Sequence, residues 1–556
     1  MRDMLRWGAR ATVAATLVVG GMIAGPATSR AAVGDPAKPP MGWNSWNSYG
    51  CGINESLIRQ MADSIVSSGM KDAGYEYVVI DECWYDPNRD ANGNLRGHPV
   101  YFPSGIAALA DYVHGKGLKF GIYMAPGEKT CAQFSGDFPG ATGSKGHERK
   151  DAQQFAAWGV DYVKYDWCSD KGTLEEQIAA FTLMRDELKA TGRPMVYSIN
   201  PNSYHPAKYG ASHDWGGIAD LWRTTEDISA AWDTGKQNSY PMGVVNIIDV
   251  NGRLGAQAGP GRWNDPDMLE VGVGTMTETE NRAHFSMWAM MAAPLMAGND
   301  VRSQSATTRS ILTAPEVIAV DQDPLGRQGV KVADTGGRQV WSKVLSGTGT
   351  RAVALFNRTG ATTDITANLS TLGLGTGGAT VRDLWARTDL GSFTGSITRS
   401  VPAHGVVLLK VTGTEAAPLV STVKTDSRAV NDLRITADFT IDGIQHQDVE
   451  LVGALTGRSR LALDAWGGLP GGNGYRGNFL YSRGPGSGSA GFDIQKLDTR
   501  SIQNLKLSLS FTINGEAHFD DETVDTSAGS VNLQLNAWGG TWDGTRWVGN
   551  FLRPAG

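Results

Sequence analysis

The sequence predicts an α/β chain: a (β/α)8 barrel, then an antiparallel β-sandwich domain, then a duplicated all-β region. Three observations carry this expectation. Short apolar runs alternate with helical ones from about residue 39 to residue 325, the order that builds a parallel barrel. After Pro324-Leu325-Gly326 the helical periodicity stops and short strand-like runs follow, separated by Gly, Thr and Asn. The last part then repeats itself at a constant offset, Leu433 falling on Leu505 and Phe439-Thr440-Ile441 on Phe511-Thr512-Ile513.

Taken in order, the barrel strands are expected at 41–46, 75–81, 119–124, 161–166, 194–200, 221–227, 262–268 and 293–297. Helices are expected between most of them, at 55–68, 105–117, 151–158 and 174–191. The segment Asp161-Tyr162-Val163-Lys164-Tyr165-Asp166-Trp167-Cys168 organises the rest. Side chains alternate along a strand, so Lys164 and Asp166 share one face while Val163 and Tyr165 share the other. Inward residues at barrel strand ends carry chemistry; a structural Lys–Asp pair is the plain alternative.

The second domain is expected over 326–412, with strands at 340–344, 352–356, 363–368, 379–384 and 405–411, followed by a linker at 413–424. The duplicated region occupies 425–556, with copies at about 432–481 and 504–553. Ala465-Trp466-Gly467-Gly468 matches Ala537-Trp538-Gly539-Gly540, and Gly477-Asn478-Phe479-Leu480 matches Gly549-Asn550-Phe551-Leu552. Two copies are too few for a solenoid, so two packed units or one pseudo-symmetric sandwich is expected. His446, Asp448 and Glu450 in one copy, and His518, Asp520 and Glu522 in the other, project from one strand face and are candidate metal ligands. A solvated polar face is the commoner explanation. Trp466 and Trp538 are candidates for stacking on sugar rings, as in a carbohydrate-binding module, or for burial as anchors.

Composition narrows the class. A net charge of −7 over 556 residues leaves no basic field and excludes nucleic acid as a partner. Arg2, Arg6 and Arg10 precede an apolar run, 11–25, that ends near Ser29-Arg30-Ala31-Ala32. That is the layout of a secretory signal over 1–32, too short to span a bilayer, so a secreted, extracellular protein without a membrane anchor is expected. Export makes the four cysteines, Cys51, Cys83, Cys131 and Cys168, candidates for disulfides, with three pairings open.

Acidic residues end several different strand candidates: Asp81-Glu82, Asp166, Asp227, and Asp265 with Asp267. Arg223 precedes Asp227 by four residues, as Lys164 precedes Asp166 by two. Carboxylates gathered at one mouth, with no Ser–His arrangement and no phosphate loop, point to glycosidic bond cleavage. A Mg²⁺ or Ca²⁺ site is the competing reading of clustered aspartates.

At this point the motifs become recognisable. Pro40-Met41-Gly42-Trp43-Asn44-Ser45-Trp46, Lys71-Asp72-Ala73-Gly74-Tyr75, Ile80-Asp81-Glu82-Cys83-Trp84, Lys164-Tyr165-Asp166, Trp222-Arg223-Thr224-Thr225 and Trp263-Asn264-Asp265-Pro266-Asp267-Met268-Leu269 resemble glycoside hydrolase family 27, the α-galactosidase family. The resemblance covers about 39–412. It implies a retaining exo-glycosidase that needs no cofactor, with Asp166 as nucleophile and Asp227 as acid/base, whose proton must be held near the working pH. It also implies sugar contacts from Trp46, Asp81, Tyr123, Lys164, Arg223 and Asp267, with Trp46 and Tyr123 as aromatic walls. It further implies the pairings Cys51–Cys83 and Cys131–Cys168.

Two departures from the family pattern bear on the sugar. Glu82 stands where a second aspartate is usual, and one methylene pushes its carboxyl roughly 1.3–1.5 Å farther, a bond length. That favours a ring without a hydroxymethyl group. After the fifth strand, Tyr197-Ser198-Ile199-Asn200-Pro201-Asn202-Ser203 replaces a Cys-Glu-Trp-like segment, leaving Asn200 or Asn202 to contact the 2-hydroxyl. The leading expectation is hydrolysis of terminal α-D-galactopyranosyl groups. The alternatives are a β-L-arabinopyranosidase of the same chemistry and a sugar-binding protein without catalysis. The partner is accordingly a galactoside or arabinopyranoside oligo- or polysaccharide.

Overall fold

The computed structural model describes residues 33–555 apart from 376, 472, 527, 528 and 539. The expected export segment, 1–32, lies outside the described residues. No helix among the described residues is long and apolar enough to cross a membrane.

Among the described residues, eight parallel strands form one sheet: β1 (Met41–Asn44), β2 (Tyr77–Ile80), β3 (Lys119–Met124), β4 (Tyr162–Asp166), β5 (Val196–Asn200), β6 (Leu221–Arg223), β7 (Trp263–Asp265) and β8 (Leu295–Ala297). Their order is β7-β6-β5-β4-β3-β2-β1-β8. The two free edges meet just past β7, where Leu269 N–H donates to Met296 O at 2.8 Å and Gly298 N–H to Leu269 O at 3.0 Å. The ring is therefore closed, as the barrel expectation requires. Tyr77, Val79, Tyr162, Val196, Leu221 and Trp263 fill its interior as one apolar cluster, while Val163 and Tyr165 face the surrounding helices. The alternation read from β4 therefore holds, and it leaves Lys164 and Asp166 pointing inward above Tyr162.

The helices include α1 (Trp46–Tyr49), α2 (Glu55–Ser67), α3 (Ile106–Gly115), α4 (Cys131–Ser135), α5 (Glu148–Ala157), α6 (Leu174–Ala190), α7 (Val244–Asn251) and α8 (Glu278–Met290). Local chemistry starts several of them. Asn54 accepts from Leu57 N–H at 2.9 Å, and Thr173 with Glu176 forms a reciprocal capping box at α6. Leu57, Ile58, Met61 and Ile65 then give α2 a continuous buried stripe.

β6 and β7 are shorter than the expected runs 221–227 and 262–268. At the end of β6 and just past it, the carbonyls of Arg223 and Thr225 accept from the side chain of Asn202 at 3.0 and 2.9 Å. Beyond β7, Asp267 adopts φ 82°, a left-handed conformation uncommon outside glycine, which turns the chain toward the barrel mouth.

The second domain contains β9 (Val330–Thr335), β10 (Arg338–Val344), β11 (Thr350–Asn357), β12 (Thr363–Asn368), β13 (Gly378–Asp383), β14 (Thr388–Thr394), β15 (Ser396–Val401) and β16 (Val406–Thr412). A six-stranded antiparallel sheet, β14-β13-β16-β11-β10-β9, faces the pair β12-β15. β9, β14 and β15 are additions to the five strands expected.

The duplicated region is one pseudo-symmetric sandwich with a shared core. Its first copy holds β17 (Val420–Lys424), β18 (Asn431–Ile441), β19 (Ile444–Gly453), β20 (Arg458–Leu463), β21 (Leu469–Gly471), β22 (Gly474–Arg476) and β23 (Leu480–Gly486). The second holds β24 (Gly491–Lys496), β25 (Gln503–Ile513), β26 (Glu516–Val524), β27 (Val531–Leu535), β28 (Thr541–Trp542), β29 (Trp547–Val548) and β30 (Leu552–Pro554). The sheets run β23-β20-β24-β17-β27-β30 and β21-β22-β19-β18-β25-β26-β29-β28, each reading alike from either end. First strands are exchanged: β17 lies parallel to β27 of the other copy, and β24 lies parallel to β20.

Two expectations need correction here. The segment 413–424 is built in rather than a free linker, since it contains β17 and Glu415, whose carboxylate takes two hydrogen bonds from the buried Arg351 guanidinium at 3.2 and 2.6 Å. The candidate metal ligands of the repeats, Glu522 apart, are buried or bonded to backbone N–H groups, so the solvated polar face expected for them does not hold either. His446 packs flat between Phe439 and Tyr475, with Nδ1 2.8 Å from Ile444 O. Asp448 accepts from the N–H groups of Phe479 and Leu480 at 2.8 and 2.7 Å, and Glu450 from Ser482 N–H at 3.0 Å. His518 and Asp520 repeat these contacts against Phe511, Phe551 and Leu552, and Glu522 is partly exposed. Asp448, Glu450 and Asp520 thus hold the start of each copy's last strand.

Candidate active site

The C-terminal strand ends surround a cavity of about 820 Å³. Asp166 ends β4 and is 6% exposed. Ser203 Oγ donates to its Oδ1 at 2.7 Å and itself accepts from Asn200 Nδ2 at 2.8 Å. Asn202 N–H donates to Asn200 Oδ1 at 3.0 Å, so a relay from the β5 loop ends on the Asp166 carboxylate. Burial pushes the Asp166 carboxyl up to about 6; Lys164 opposes this, and the nearby Asp227 charge adds to it.

Lys164 Nζ donates to Asp81 Oδ2 at 2.8 Å, and Asn44 Nδ2 reaches the same oxygen at 2.8 Å. Burial alone would lower the lysine's pKa, but Asp81 and Asp166 hold the ammonium above its ordinary value. Glu82 lies beside them on the cavity wall. Its Oε2 accepts from Ala132 N–H at 2.7 Å, at the start of α4. Burial pushes its carboxyl up to about 8, that N–H opposing and Asp81 and Asp166 reinforcing, so the site favours the neutral acid.

On the opposite wall Arg223 bridges two carboxylates, at 3.0 Å from Asp227 Oδ1 and 2.7 Å from Asp267 Oδ2. Asp267 is fixed by two backbone donors as well, Ile228 N–H and Met268 N–H, both at 2.8 Å. Asp227 is left with a side chain 48% exposed, free to meet an incoming group. The two disulfides, Cys51–Cys83 and Cys131–Cys168, match the pairings the family resemblance implies. Among the described residues the one cluster with metal-ligand spacing is Cys131, Asp166 and Cys168, whose two sulfurs are bonded to each other.

Of the residues picked from sequence, Trp46, Asp81, Glu82, Lys164, Asp166, Arg223, Asp227 and Asp267 all line this cavity. Tyr123 and Asn200 do not. Tyr123 is fully buried, with its hydroxyl 3.3 Å from Cys168 Sγ and its ring under the Lys164 ammonium; it supports the lysine rather than walling the sugar. Asn200 stands one hydrogen bond behind Ser203. Sequence reasoning did not single out Ser203, although it lies in the loop flagged as departing from the family. It also missed the Lys208–Glu226 ion pair and the rim tyrosines Tyr204 and Tyr240. Glu226 abuts Asp227 and was findable; nothing in the sequence marked Tyr240.

A closed (β/α)8 barrel whose strand ends bring carboxylates and aromatic groups to one sugar-sized cavity defines a glycoside hydrolase. Comparison with known proteins supports this. Residues 38–323 match the family model described as alpha galactosidase A, and 335–411 match the alpha galactosidase C-terminal beta sandwich domain. The chain is 44% identical over 391 residues to alpha-galactosidase A of Cellvibrio japonicus, covering 67% of this chain and 91% of that protein. It resembles the crystal structure of α-galactosidase I from Mortierella vinacea at 36% identity and TM-score 0.63, over 69% of this chain and 99% of the other. A β-L-arabinopyranosidase of Geobacillus stearothermophilus crystallised with arabinose is 26% identical, with TM-score 0.58, over 68% of this chain and 98% of that one. The chain belongs to glycoside hydrolase family 27, the α-galactosidase family.

Proposed function

We propose that this is a secreted, retaining exo-glycosidase that removes terminal α-D-galactopyranosyl groups from oligo- or polysaccharides. The observation that carries the reading is the pair Asp166 and Asp227 on facing walls of one cavity, the first buried with Ser203 donating to it and Lys164 beside it, the second half-exposed. In the first step the Asp166 carboxylate attacks the anomeric carbon while the glycosidic C–O bond breaks. Asp227 gives its proton to the departing oxygen. In the second step Asp227 takes a proton from water, whose oxygen displaces Asp166 from the anomeric carbon. Export rests on the arginine-flanked apolar start of the sequence.

Following hydrolysis of nitrophenyl α-galactoside by NMR tests the stereochemistry. α-Galactose is expected as the first product, and β-galactose appearing first would overturn the reading. Asp166→Ala should be inactive, and added azide should restore turnover with β-galactosyl azide as product.

A second reading, β-L-arabinopyranosidase by the same steps, is favoured by one observation. Glu82, longer than aspartate, forms part of the cavity wall beside Asp81, where a hydroxymethyl group would compete for space. Parallel assays on the two nitrophenyl glycosides rank the readings.

A further inference from the structure

The two copies of the tail sandwich present the same face to different surroundings. The first copy's face is covered by the rest of the chain. Ala462, Tyr481 and Leu497 are buried in the core of the second domain. Thr499 N–H donates to Val332 O at 3.1 Å, and Gln495 Nε2 to Gly373 O at 3.0 Å. Trp466 is held between Arg500 at 5.0 Å and Lys331 of the second domain at 4.6 Å. Tyr475 meets Arg253 of the barrel.

The second copy's face is open. Trp538, the counterpart of Trp466, keeps the equivalent arginine, Arg428 at 4.6 Å, and is 70% exposed. The buried docking residues have polar counterparts: Ala462 becomes Gln534, Tyr481 becomes Arg553, and Leu497 becomes Thr425. The aromatic positions change in the opposite sense, since Pro470 and Tyr475 become Trp542 and Trp547. Trp542 is 49% exposed, and its ring lies 5.7 Å from Trp547, which is held by stacking on His518 and by a bond from Nε1 to Glu516 at 3.1 Å.

We propose that this open face, built on Trp538 and Trp542, is a binding site for pyranose rings of an insoluble polysaccharide. Loss of the apolar docking anchors argues against a protein partner. So does size: a stable protein interface takes about 800 Å² per partner, whereas these indoles offer about 150–250 Å² each, the scale of a few sugar rings. A second copy of this chain cannot supply the surface that covers the first repeat, because its own first repeat already occupies it. Indole faces bordered by hydrogen-bonding side chains suit a ring with an apolar face and a polar edge. Tethering to the catalytic barrel raises the local concentration of chain ends near the active site. The inference does not depend on which sugar the barrel releases.

Full-length protein tests it by pull-down on cross-linked galactomannan, insoluble arabinogalactan and microcrystalline cellulose. The wild type should bind at least one of them, and W538A/W542A should lower the partition constant by about tenfold or more. Hydrolysis of soluble nitrophenyl glycoside and the melting temperature should stay unchanged. W538F/W542F should keep most of the binding, which separates ring stacking from misfolding. Absence of wild-type binding to all three solids, or equal binding by W538A/W542A, overturns the proposal. Concentration-dependent dimerisation lost in W538A/W542A would also overturn it and make the face a self-association surface.

Discussion

Ser203 gives one hydrogen bond to a carboxylate that burial otherwise drives toward its neutral form. A donor to the charged form favours that form, so Ser203→Ala should raise the Asp166 pKa. Because the attacking group must be ionised, kcat/KM should fall on the acid side of about pH 6 in the wild type. In Ser203→Ala that limb should move to higher pH, with the alkaline limb unmoved; an unchanged profile would contradict the relay. Glu82 acts on the sugar rather than the reaction. Glu82→Asp withdraws a methylene from the wall, a change of about 1–3 kcal/mol in such pockets. The ratio of α-galactosidase to β-L-arabinopyranosidase kcat/KM should therefore rise about tenfold or more, and a constant ratio would remove Glu82 from specificity.

At the scale of elements, the β5–β6 loop and the 413–424 segment each depend on one side chain. Asn202 is fully buried and bonds Arg223 O, Thr225 O and Gly210 N–H. Asn202→Ala leaves those groups unpaired at about 1–3 kcal/mol each and frees the chain that aims Arg223, so melting temperature and kcat should fall together. Glu415→Ala strands the Arg351 guanidinium, which is fully buried, at a cost of about 3–5 kcal/mol; calorimetry checks it, and an unchanged melting curve would restore the segment to a linker. These contacts also mark what the sequence made legible. β3 was read with its observed ends because an apolar run there stops at both sides without a functional extension. β6 and β7 were overextended because the residues after Arg223 and Asp265 keep a strand-like pattern while several of their backbone groups bond to side chains, Thr225 O to Asn202, Glu226 N–H to Asn238 and Asp267 N–H to Asp265. Asp166 was legible because it ends β4; Asp227 lies four residues past the end of β6 and was legible through its spacing from Arg223 and the family resemblance. Tyr123 was misassigned since its facing toward the barrel interior says nothing of whether a lysine closes over it.

For the molecule as a whole, several buried carboxyls hold protons that the unfolded chain would release. Burial pushes Glu82 up to about 8, and Glu270 and Asp321 up to about 7. Between about pH 4.5 and 8 the folded state binds more protons at these sites, so their contribution to stability declines as pH rises through that window. His284 works the other way: burial pushes it down to about 3, and its contribution is lost as pH falls below about 6.5. The melting temperature should be highest on the mildly acidic side and decline toward pH 8. Glu82→Gln should flatten that decline, and a melting temperature that rises from pH 6 to 8 would contradict the assignment.

The exchange of β17 and β24 makes the two tail copies interdependent. Neither copy completes the six-stranded sheet with its own first strand; each lends that strand to the other. Two separate copies would close the same sheets only as a strand-exchanged twofold dimer. Within one polypeptide the halves are free to differ: one packs on the second domain and the barrel, and the other turns Trp538 and Trp542 to solvent.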